Sequence, residues 1–358
     1  MNDQLSATLN LFFTPGLGAV RIKSLLEHFG SAEAVLSARL LELRDIPGLD
    51  SASVAAIGSE TAQTRAKTEL ERAEKMGLTL LALSDLRYPE SLKAIYDPPP
   101  ILWVRGDVAV LENLVGVLPR SIGVVGTRKA STYAKAFTQK LAHDLALVGT
   151  TVVSGLARGI DTVAHTAAVE AGGSSIAVLG CGVDTIYPAE NKALAERLTV
   201  ISAYCIGTPP NSYNFPPRNR IIAGLSSGSV VVEGDTDSGA MITAVAALEA
   251  GREVFAVPGR AGDPLARGPH KLIKQGATLI ESAADVLEAL RWTAAPPRLL
   301  PQLEGDEATI YQALNGELLL DDVCTKTGFD SSRATVALMM LTLKNLVLEL
   351  PGGRYAKG

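Results

Sequence analysis

The sequence is poor in the residues that build disulfide frameworks and metal sites. Its 358 residues include only three cysteines and four histidines. Cys181, Cys205 and Cys324 lie far apart, and no CxxC pair occurs. A disulfide scaffold and a cysteine-rich zinc site are therefore not expected. The sequence predicts a reduced protein that holds no metal ion.

Long apolar runs are also missing. No stretch reaches the roughly 18 apolar residues that a membrane-spanning helix needs. No Lys or Arg precedes Arg21, so a secretory signal with a charged leader is not expected. Hydrophobic residues make up 47% and charged residues 20% of the chain, which is typical of globular proteins. We therefore expect a cytoplasmic protein of two or three domains without a membrane partner.

The charge of the whole chain does not point to nucleic acid. The net charge is −5 at pH 7. The cations are unevenly spread, however. Residues 197–232 contain three arginines and no acidic residue, and residues 250–275 contain five Lys or Arg against two acidic residues. A local basic face on an acidic protein is therefore expected.

Composition divides the chain into four parts. Residues 1–82 show helical periodicity without a convincing strand, and residues 83–292 alternate β-branched runs with alanine-rich helical runs. Residues 293–305 contain three prolines, which is typical of a linker. Residues 306–358 are predicted to form a small, mostly helical domain.

The first part contains two Pro-Gly turns, at Gly16 and Gly48, each between short helices with an apolar face. This near-repeat resembles the helix-hairpin-helix, or SAM-like, module, whose glycine-rich turn exposes backbone N–H groups to a phosphate. Arg21 and Lys23 follow the first turn. The sequence leaves open whether this domain contacts DNA or has a structural or protein-contact role.

The second part predicts an α/β fold. Residues 121–125, 175–179 and 229–232 are almost entirely apolar, which is typical of strands that are buried on both faces. Helical runs separate them, so we expect a Rossmann-like, doubly wound, mostly parallel sheet. In such sheets ligands bind at the carboxyl ends of the strands.

Glycines with hydroxyl or cationic neighbours follow the predicted strands. Such residues are Gly126, Thr127 and Arg128 after the first strand, and Ser154, Gly155, Arg158 and Gly159 after the second. Glycine lets the backbone approach a ligand, and arginine forks onto phosphate oxygens, so phosphate binding is predicted. There is no GxxxxGK[ST] motif and no GxGxxG after the first strand, so an ATPase, a nicotinamide dehydrogenase and a bound cofactor are not expected.

Residues 214–222 form the most unusual segment. Phe215 precedes two prolines, after which come Arg218, Asn219 and Arg220. Arginine for phosphate and an aromatic ring for base stacking are the minimum that single-stranded nucleic acid requires. The alternative is a solvated loop that leads into a helix.

The order of these motifs resembles the DprA/Smf family, the DNA-processing protein A family. The resemblance is strong over residues 85–280 and loose in both flanks. The motifs that carry it are Gly126-Thr127-Arg128, the runs 154–165 and 215–222, Tyr187-Pro188, Ser238-Gly239, Thr243-Ala244 and the run 256–259.

The resemblance implies a recombination mediator rather than an enzyme. Such proteins bind incoming single-stranded DNA, dimerise through the Rossmann-like domain and load the RecA recombinase during natural transformation. By this resemblance Arg128 holds a DNA phosphate beside Gly126 and Thr127. The adjacent anion pocket consists of Ser154, Gly155 and Gly159, and the neighbouring basic wall consists of Phe215, Arg218, Asn219 and Arg220. Arg158 is also expected to bind DNA. Lys271 and Lys274 are added from charge alone.

Four residues permit a catalytic, binding or structural interpretation. Asp161 and His165 are spaced as neighbours on one helix face and form either an acid–base pair or a helix cap and a packed side chain. Glu233 is either a general base or a structural acceptor for the backbone N–H groups of Ser238 and Gly239. Tyr187 either stacks a base or has a core or dimer role.

An enzyme of the nucleoside-monophosphate phosphoribohydrolase type is the rival hypothesis, because such enzymes share this fold and a similar strand-end pattern. They use a Pro-Gly-Gly loop with a catalytic glutamate. The segment 233–240 lacks that beginning, so the sequence favours the binding protein.

The last part predicts three helices and a hairpin, which together resemble a winged helix. Such a domain often binds duplex DNA through its third helix. Here that helix offers only Arg333 and Lys344, and residues 306–358 contain seven acidic against five basic residues. A protein-contact or regulatory role is therefore favoured over duplex binding.

Overall fold

Buried apolar runs pair side by side as strands in the computed structural model of the chain, and helices cover both faces of the resulting sheet. The structure describes residues 3–114, 116, 118–292, 305–314, 316, 318–343, 346–350 and 353–357. The chain divides into two compact units, Met1–Pro297 and Arg298–Gly358. The predicted linker, 293–305, lies outside the described residues except for Gly305.

Helices form the N-terminal part of the first unit. They are α1 (Asp3–Phe13), α2 (Ala19–Phe29), α3 (Ala32–Ser37), α4 (Leu40–Arg44), α5 (Ser51–Ala56) and α6 (Glu60–Lys75). The side chains of Ser31, Asp50 and Ser59 cap α3, α5 and α6 by accepting a backbone N–H. Gly16 and Gly48 have φ values of 83° and 82°, so both Pro-Gly turns use the backbone conformation that favours glycine.

One sheet runs through the first unit. Its strands are β1 (Thr79–Ala82), β2 (Ile101–Arg105), β3 (Ser121–Val125), β4 (Thr151–Ser154), β5 (Ser175–Leu179), β6 (Thr199–Ser202), β7 (Gly228–Val231), β8 (Glu253–Ala256) and β9 (Thr278–Leu279). Their spatial order is β1-β2-β6-β5-β4-β3-β7-β8-β9. Only the pairs of β2 with β1 and β6 are antiparallel. The predicted Rossmann-like, mostly parallel sheet is confirmed.

Helices lie on both faces of this sheet. They are α7 (Glu90–Lys93), α8 (Ala109–Glu112), α9 (Thr132–Leu147), α10 (Ile160–Glu170), α11 (Lys192–Ala195), α12 (Phe215–Gly224), α13 (Gly239–Glu249), α14 (Arg267–Lys274) and α15 (Ala283–Ala289). Short 3-10 turns occur at Ala189–Asn191, Ser212–Asn214 and Pro264–Ala266. Apolar residues of α9, α10 and α15 fill one face, and those of α12, α13 and α14 fill the other. Within the described residues, no helix combines the length and apolar character needed to cross a bilayer.

The strand β1 corrects the expectation that residues 1–82 contain no strand. Leu80 and Leu81 lie opposite Trp103 and Leu102 of β2, and all four side chains are buried. The strand has only four residues and follows α6 after a turn at Gly77, so the apolar run that would predict it in the sequence is short. Because β1 joins the sheet, the predicted boundary between residues 82 and 83 falls inside one compact unit.

Glu69 fastens α6 to the sheet. Its Oε1 accepts hydrogen bonds from Nε1 of Trp103 at 2.8 Å and from the backbone N of Ile206 at 2.7 Å. The carboxylate is almost fully buried, and Nη1 of Arg72 lies 3.8 Å from Oε2. A buried carboxylate that accepts two hydrogen bonds on one oxygen holds the helix, β2 and the segment after β6 in one arrangement.

The chain order of the parallel strands reverses at β3. The strands β4, β5 and β6 follow on one side of β3, whereas β7, β8 and β9 follow on the other. The loops that leave β3 and β7 therefore turn to opposite faces and open a crevice between them at the carboxyl edge. Ligands of doubly wound sheets bind at such a reversal.

The second unit contains three helices and a small sheet. Its elements are α16 (Gly305–Ala313), β10 (Leu318–Leu319), α17 (Leu320–Thr327), α18 (Ser331–Leu343), β11 (Val347–Leu350) and β12 (Arg354–Lys357). The strand β12 pairs antiparallel with both β10 and β11. Three helices followed by a hairpin confirm the predicted winged-helix architecture.

Glu69→Ala should lower the free energy of unfolding by about 2–3 kcal/mol, because Trp103 and Ile206 each lose a charged acceptor in a buried place. Glu69→Gln keeps an acceptor oxygen for both donors and should cost less than about 1 kcal/mol. Urea denaturation of both variants measures the difference. Equal losses in the two variants would show that the two hydrogen bonds do not fasten α6.

Candidate nucleic-acid interface

A cavity of about 570 Å³ lies at the carboxyl edge where β3 and β7 adjoin. The loop after β3, the first turns of α12 and α13 and the start of α10 form its wall. The lining side chains used below are Arg128, Lys129, Asp161, Phe215, Arg218, Asn219 and Thr243. The predicted strand-end site and this cavity therefore coincide in part.

Glycines let the loop after β3 lie against α10. A Cβ on Gly126 would come within 2.5 Å of Cγ1 of Ile160, and a Cβ on Gly159 would collide with the carbonyl oxygen of Thr127. Gly159 also has a φ of 78°, which favours glycine. These two glycines therefore have a packing role, and they bring Thr127 and the residue after it to the cavity edge.

Arg128 is an exposed cation at the edge of the cavity. Its guanidinium carbon lies 5.6 Å from the ring centroid of Phe215. None of the ion pairs formed by the described residues includes Arg128. Lys129 stands next to it and is also exposed. A cation without a carboxylate partner beside an aromatic ring is suited to a phosphate whose base stacks on that ring.

The segment around Phe215 is helical rather than a solvated loop. The helix α12 begins at Phe215, and the two prolines occupy its first turn, where a missing N–H costs nothing. Arg218 and Asn219 are 5% and 9% exposed. The alternative of a solvated loop is therefore wrong for these two residues.

Arg218 lies beneath the cavity instead of on its rim. Its Nη1 donates a hydrogen bond to the carbonyl oxygen of Val178 at 2.8 Å, and its guanidinium carbon lies 5.6 Å from the Phe215 ring centroid. Burial lowers the pKa of Arg218, although the nearby Asp161 carboxylate opposes this shift. A Cβ on Gly155 would collide with the guanidinium, so glycine is needed there.

The predicted anion pocket after β4 needs a correction. The Ser154 hydroxyl donates to the carbonyl oxygen of Val124 at 2.6 Å, and the backbone N–H of Gly155 donates to Oδ2 of Asp161 at 3.0 Å. Both donors are thus used inside the fold. These residues support the floor of the cavity and do not present donors to a phosphate.

Asp161 and His165 are structural rather than an acid–base pair. Oδ2 of Asp161 accepts from Gly155 and Ala157, and Nε2 of His165 accepts from the backbone N of Leu156 at 3.3 Å. Burial lowers the pKa of His165 to about 3, so the ring is neutral. Burial raises the pKa of Asp161, against the opposing effect of Arg218. The pair shapes the loop after β4.

Glu233 is a structural hydrogen-bond acceptor, but its partner is Ser131 rather than Ser238 and Gly239. Its carboxylate accepts from the backbone N of Ser131 at 3.0 Å and from the Ser131 hydroxyl at 2.6 Å. The same hydroxyl caps α9 by accepting from Ala134. The expectation that Glu233 holds the N–H groups of Ser238 and Gly239 is therefore wrong. The end of β7 is fastened to the start of α9 instead.

The other predicted cations do not line this cavity. Arg158 forms two hydrogen bonds of 2.7 Å with Glu190, and Nη1 of Arg220 donates to Oδ2 of Asp97 at 2.6 Å. Lys271 lines a different cavity, between α13 and α14, and Lys274 belongs to the same helix, α14. Of the predicted basic wall, Phe215, Arg218 and Asn219 line this cavity and Arg220 does not. Arg128, from the loop after β3, adjoins the Phe215 ring.

Two parts of the site lie outside the predicted DNA-binding residues. One is Lys129, which directly follows Arg128. The other is the first turn of α13, where Ser238, Gly239 and Thr243 line the cavity. Asn219 connects this turn to α12, because its Nδ2 donates to the carbonyl oxygen of Gly239 at 3.2 Å. The polar run after β7 was the available signal for this turn.

The cations of the first Pro-Gly turn are used within the protein. Nη1 of Arg21 donates to the carbonyl oxygen of Gly16 and lies 3.8 Å from Asp50. Nζ of Lys23 donates to the carbonyl oxygen of Ile95 at 3.1 Å. These contacts favour the structural alternative for the helical part. Across the described ranges, no group of three or more His, Cys, Asp or Glu side chains is placed to hold a metal ion.

Comparison with known proteins gives consistent matches across most of the chain. The family model described as DNA recombination-mediator protein A matches residues 79–291, and that of the DprA winged helix domain matches residues 293–353. DNA processing protein DprA of Bacillus subtilis is 43% identical over 247 residues, which are 67% of this chain and 82% of that protein. Protein Smf of Escherichia coli is 39% identical over 292 residues, which are 74% of each chain.

Two solved structures are also similar. DNA processing protein A from Streptococcus pneumoniae matches with a TM-score of 0.67 and 35% identity, over 78% of this chain and 95% of that one. DNA processing protein A from Helicobacter pylori matches with a TM-score of 0.53 and 28% identity, over 60% of this chain and 95% of that one. The latter structure is described as showing a single-stranded DNA binding mode.

His165 should make the protein less stable as the pH falls. Its pKa is about 3 in the folded protein and 6.5 in an unfolded chain, so the unfolded state binds one more proton between these values. The free energy of unfolding should therefore fall by about 1.4 kcal/mol per pH unit below about pH 6 on account of this residue.

Urea denaturation of wild type and His165→Asn between about pH 6 and pH 5 checks this slope. The variant is expected to be less stable near neutral pH, because Leu156 loses its acceptor. Its stability should nevertheless depend less on pH than that of the wild type, since other titrating groups are common to both proteins. Parallel pH profiles would contradict a buried neutral ring.

Proposed function

Because the chain belongs to the DNA recombination-mediator protein A (DprA/Smf) family, we propose that it binds single-stranded DNA and loads RecA recombinase onto it during natural transformation or recombination. The observation that supports this most directly is Arg128, an exposed guanidinium without an acidic partner among the described residues, over the ring of Phe215. The relative from Helicobacter pylori, described as binding single-stranded DNA, supports the same proposal. RecA acts in the cytoplasm, which is the location that the proposal requires.

The site is suited to a sugar–phosphate strand rather than to a duplex. Arg128 and Lys129 provide exposed cations on one edge, and Phe215 provides a half-buried ring next to them. The buried guanidinium of Arg218 adds positive potential from below, where screening by water is weak. A ring that stacks on a base needs that base unpaired and turned out, which single strands allow.

The same geometry supports binding without catalysis. The carboxylate of Glu233, the candidate general base, accepts two hydrogen bonds from Ser131. His165 is buried and neutral, and Asp161 is bonded to two backbone N–H groups. The groups that a phosphoribohydrolase would need are thus engaged in holding loops. We therefore propose a binding protein without a cofactor.

Arg128→Ala should weaken binding of a fluorescent single-stranded oligonucleotide roughly tenfold at low salt, because a charge-assisted contact with a phosphate is lost. The slope of log affinity against log salt should become shallower by about 0.7, which corresponds to one phosphate of a single strand. Fluorescence anisotropy in a salt series measures both quantities.

Arg220→Ala is the matched control. It removes the same charge from a residue that the sequence placed in the basic wall, but whose side chain is paired with Asp97 elsewhere. Its affinity for the oligonucleotide should stay within about twofold of wild type. Its slope of log affinity against log salt should be unchanged. If Arg128→Ala and Arg220→Ala behave alike, or if duplex DNA binds better than single strands, the DNA does not lie in this cavity.

We also propose that the protein forms a homodimer through the Rossmann-like domain. The helix α13 presents Ile242, Val245 and Leu248 to the outside, with exposures of 42%, 50% and 61%. Their spacing of three residues places them in one stripe along the helix. Ile242 lines both the cavity between α13 and α14 and the nucleic-acid cavity. A second copy on this stripe would bring two DNA sites together, so that one strand could occupy both with a gain in avidity.

Val245→Glu should convert this dimer to a monomer, because a second copy would have to bury an unpaired carboxylate. Size-exclusion chromatography with light scattering should show the mass falling from twice 37.5 kDa to 37.5 kDa. Leu86→Glu is the matched control, since Leu86 is 99% exposed and lies outside the proposed interface. A dimeric Val245→Glu protein would place the interface elsewhere.

For the winged-helix unit we propose a protein-contact role. Val336, Met339 and Met340 of its third helix are 61%, 62% and 44% exposed. Arg333, the basic residue of that helix within the described range, forms two hydrogen bonds of 2.6 Å with Asp306. An apolar surface whose cation is already neutralised is better suited to a protein than to the phosphates of a duplex.

A further inference from the structure

We propose that Tyr187 and Phe215 together form a two-ring platform, on which Tyr187 stacks the base next to the one held by Phe215. This inference rests on the proposed function and extends its site beyond the cavity. Tyr187 is not among the residues that line the cavity, and its role was left open by the sequence.

The two rings are neighbours, and Phe215 lines the cavity. Their centroids are 6.1 Å apart, and their planes are inclined by 36°. Tyr187 is 44% exposed, so the alternative of a core role is wrong for it. Tyr187 is half exposed and lies beside Phe215, which itself adjoins the Arg128 guanidinium. The Tyr187 ring can therefore offer a second stacking surface to an unpaired base.

Phe215 is held firmly enough to define the platform. A Cβ on Gly180 would lie 3.0 Å from Cδ1 of Phe215, so the ring packs directly on the backbone after β5. The guanidinium carbons of Arg128 and Arg218 both lie 5.6 Å from its centroid. The Gly180 backbone and the buried Arg218 guanidinium therefore hold the ring from below.

The segment that carries Tyr187 is also fixed. Three residues further along, Glu190 accepts two hydrogen bonds of 2.7 Å from Arg158. Nδ2 of Asn191 donates to the carbonyl oxygen of Leu156 at 2.8 Å. Both contacts join the segment to the loop after β4. A base that stacks on Tyr187 therefore meets a ring whose backbone is already positioned, which lowers the entropy cost of binding.

This placement gives Arg158 a role that differs from the predicted phosphate contact. Its guanidinium is engaged with Glu190, and this ion pair joins the Tyr187 segment to the loop after β4. The strand would run from the phosphate at Arg128 across Phe215 to Tyr187.

Tyr187→Ala should weaken binding of a short oligothymidylate roughly tenfold, the loss expected for one stacked base. The salt slope should remain that of wild type, because the tyrosine ring neutralises no phosphate. Tyr187→Phe should bind as wild type does, because it keeps the ring and loses only the hydroxyl. Fluorescence anisotropy in a salt series gives affinity and slope for each variant.

Tyr96→Ala is the matched control, since Tyr96 is 77% exposed and lines a separate cavity. Circular dichroism checks that the variants are folded, and Tyr187→Leu replaces Tyr187→Ala if the latter is not. Wild-type affinity of Tyr187→Ala, or equal losses in Tyr187→Ala and Tyr187→Phe, would overturn the platform. If only the platform fails in this way and Arg128→Ala still weakens binding, the proposed single-stranded DNA binding stands. If the wild-type protein does not bind single strands, both the platform and the proposed function are rejected.

Discussion

One buried positive charge organises the carboxyl edge of the sheet. The guanidinium of Arg218 bonds to the end of β5, occupies the space that Gly155 leaves open and lies under the ring of Phe215. Burying such a charge is costly unless polar groups compensate it. Asp161 supplies the opposite charge, and its own oxygen is fixed by the N–H groups after β4. The end of β5, the loop after β4 and the ring of Phe215 all adjoin this single side chain.

The exposed part of the site depends on that buried part. Phe215 can present its ring because α12 starts there and because Arg218, one turn later, anchors the helix to the sheet. Arg128 reaches the same ring from the loop after β3, which two glycines allow to pack on α10. The surface cation and the ring are therefore positioned by contacts beneath them rather than by contacts with each other.

Much of the fold could be predicted from the sequence, because strands buried on both faces are apolar throughout and helices begin at recognisable caps. Ser131 is an example, since it caps α9 where the sequence placed it. The strand β1 was missed because four residues carry too little pattern. The location of the site was also predictable, since glycine-rich strand ends meet at one edge of a parallel sheet.

The roles of individual arginines were harder to predict. Arg128, Arg158, Arg218 and Arg220 look alike in the sequence, but two are paired with carboxylates and one is buried. The partners Glu190 and Asp97 lie 32 and 123 residues away along the chain. Only the fold brings them within reach, so the pattern of residues could not separate a free cation from a neutralised one.

The carboxylate of Glu233 joins β7 to the first turn of α9 across the reversal of the sheet. A site whose walls are already bonded to each other needs no rearrangement before a ligand enters. Association should then proceed in one step, at a rate set by diffusion and by the attraction between surface cations and phosphates. In the proposed complex, the lifetime would instead be determined by how long the stacked bases stay on their rings.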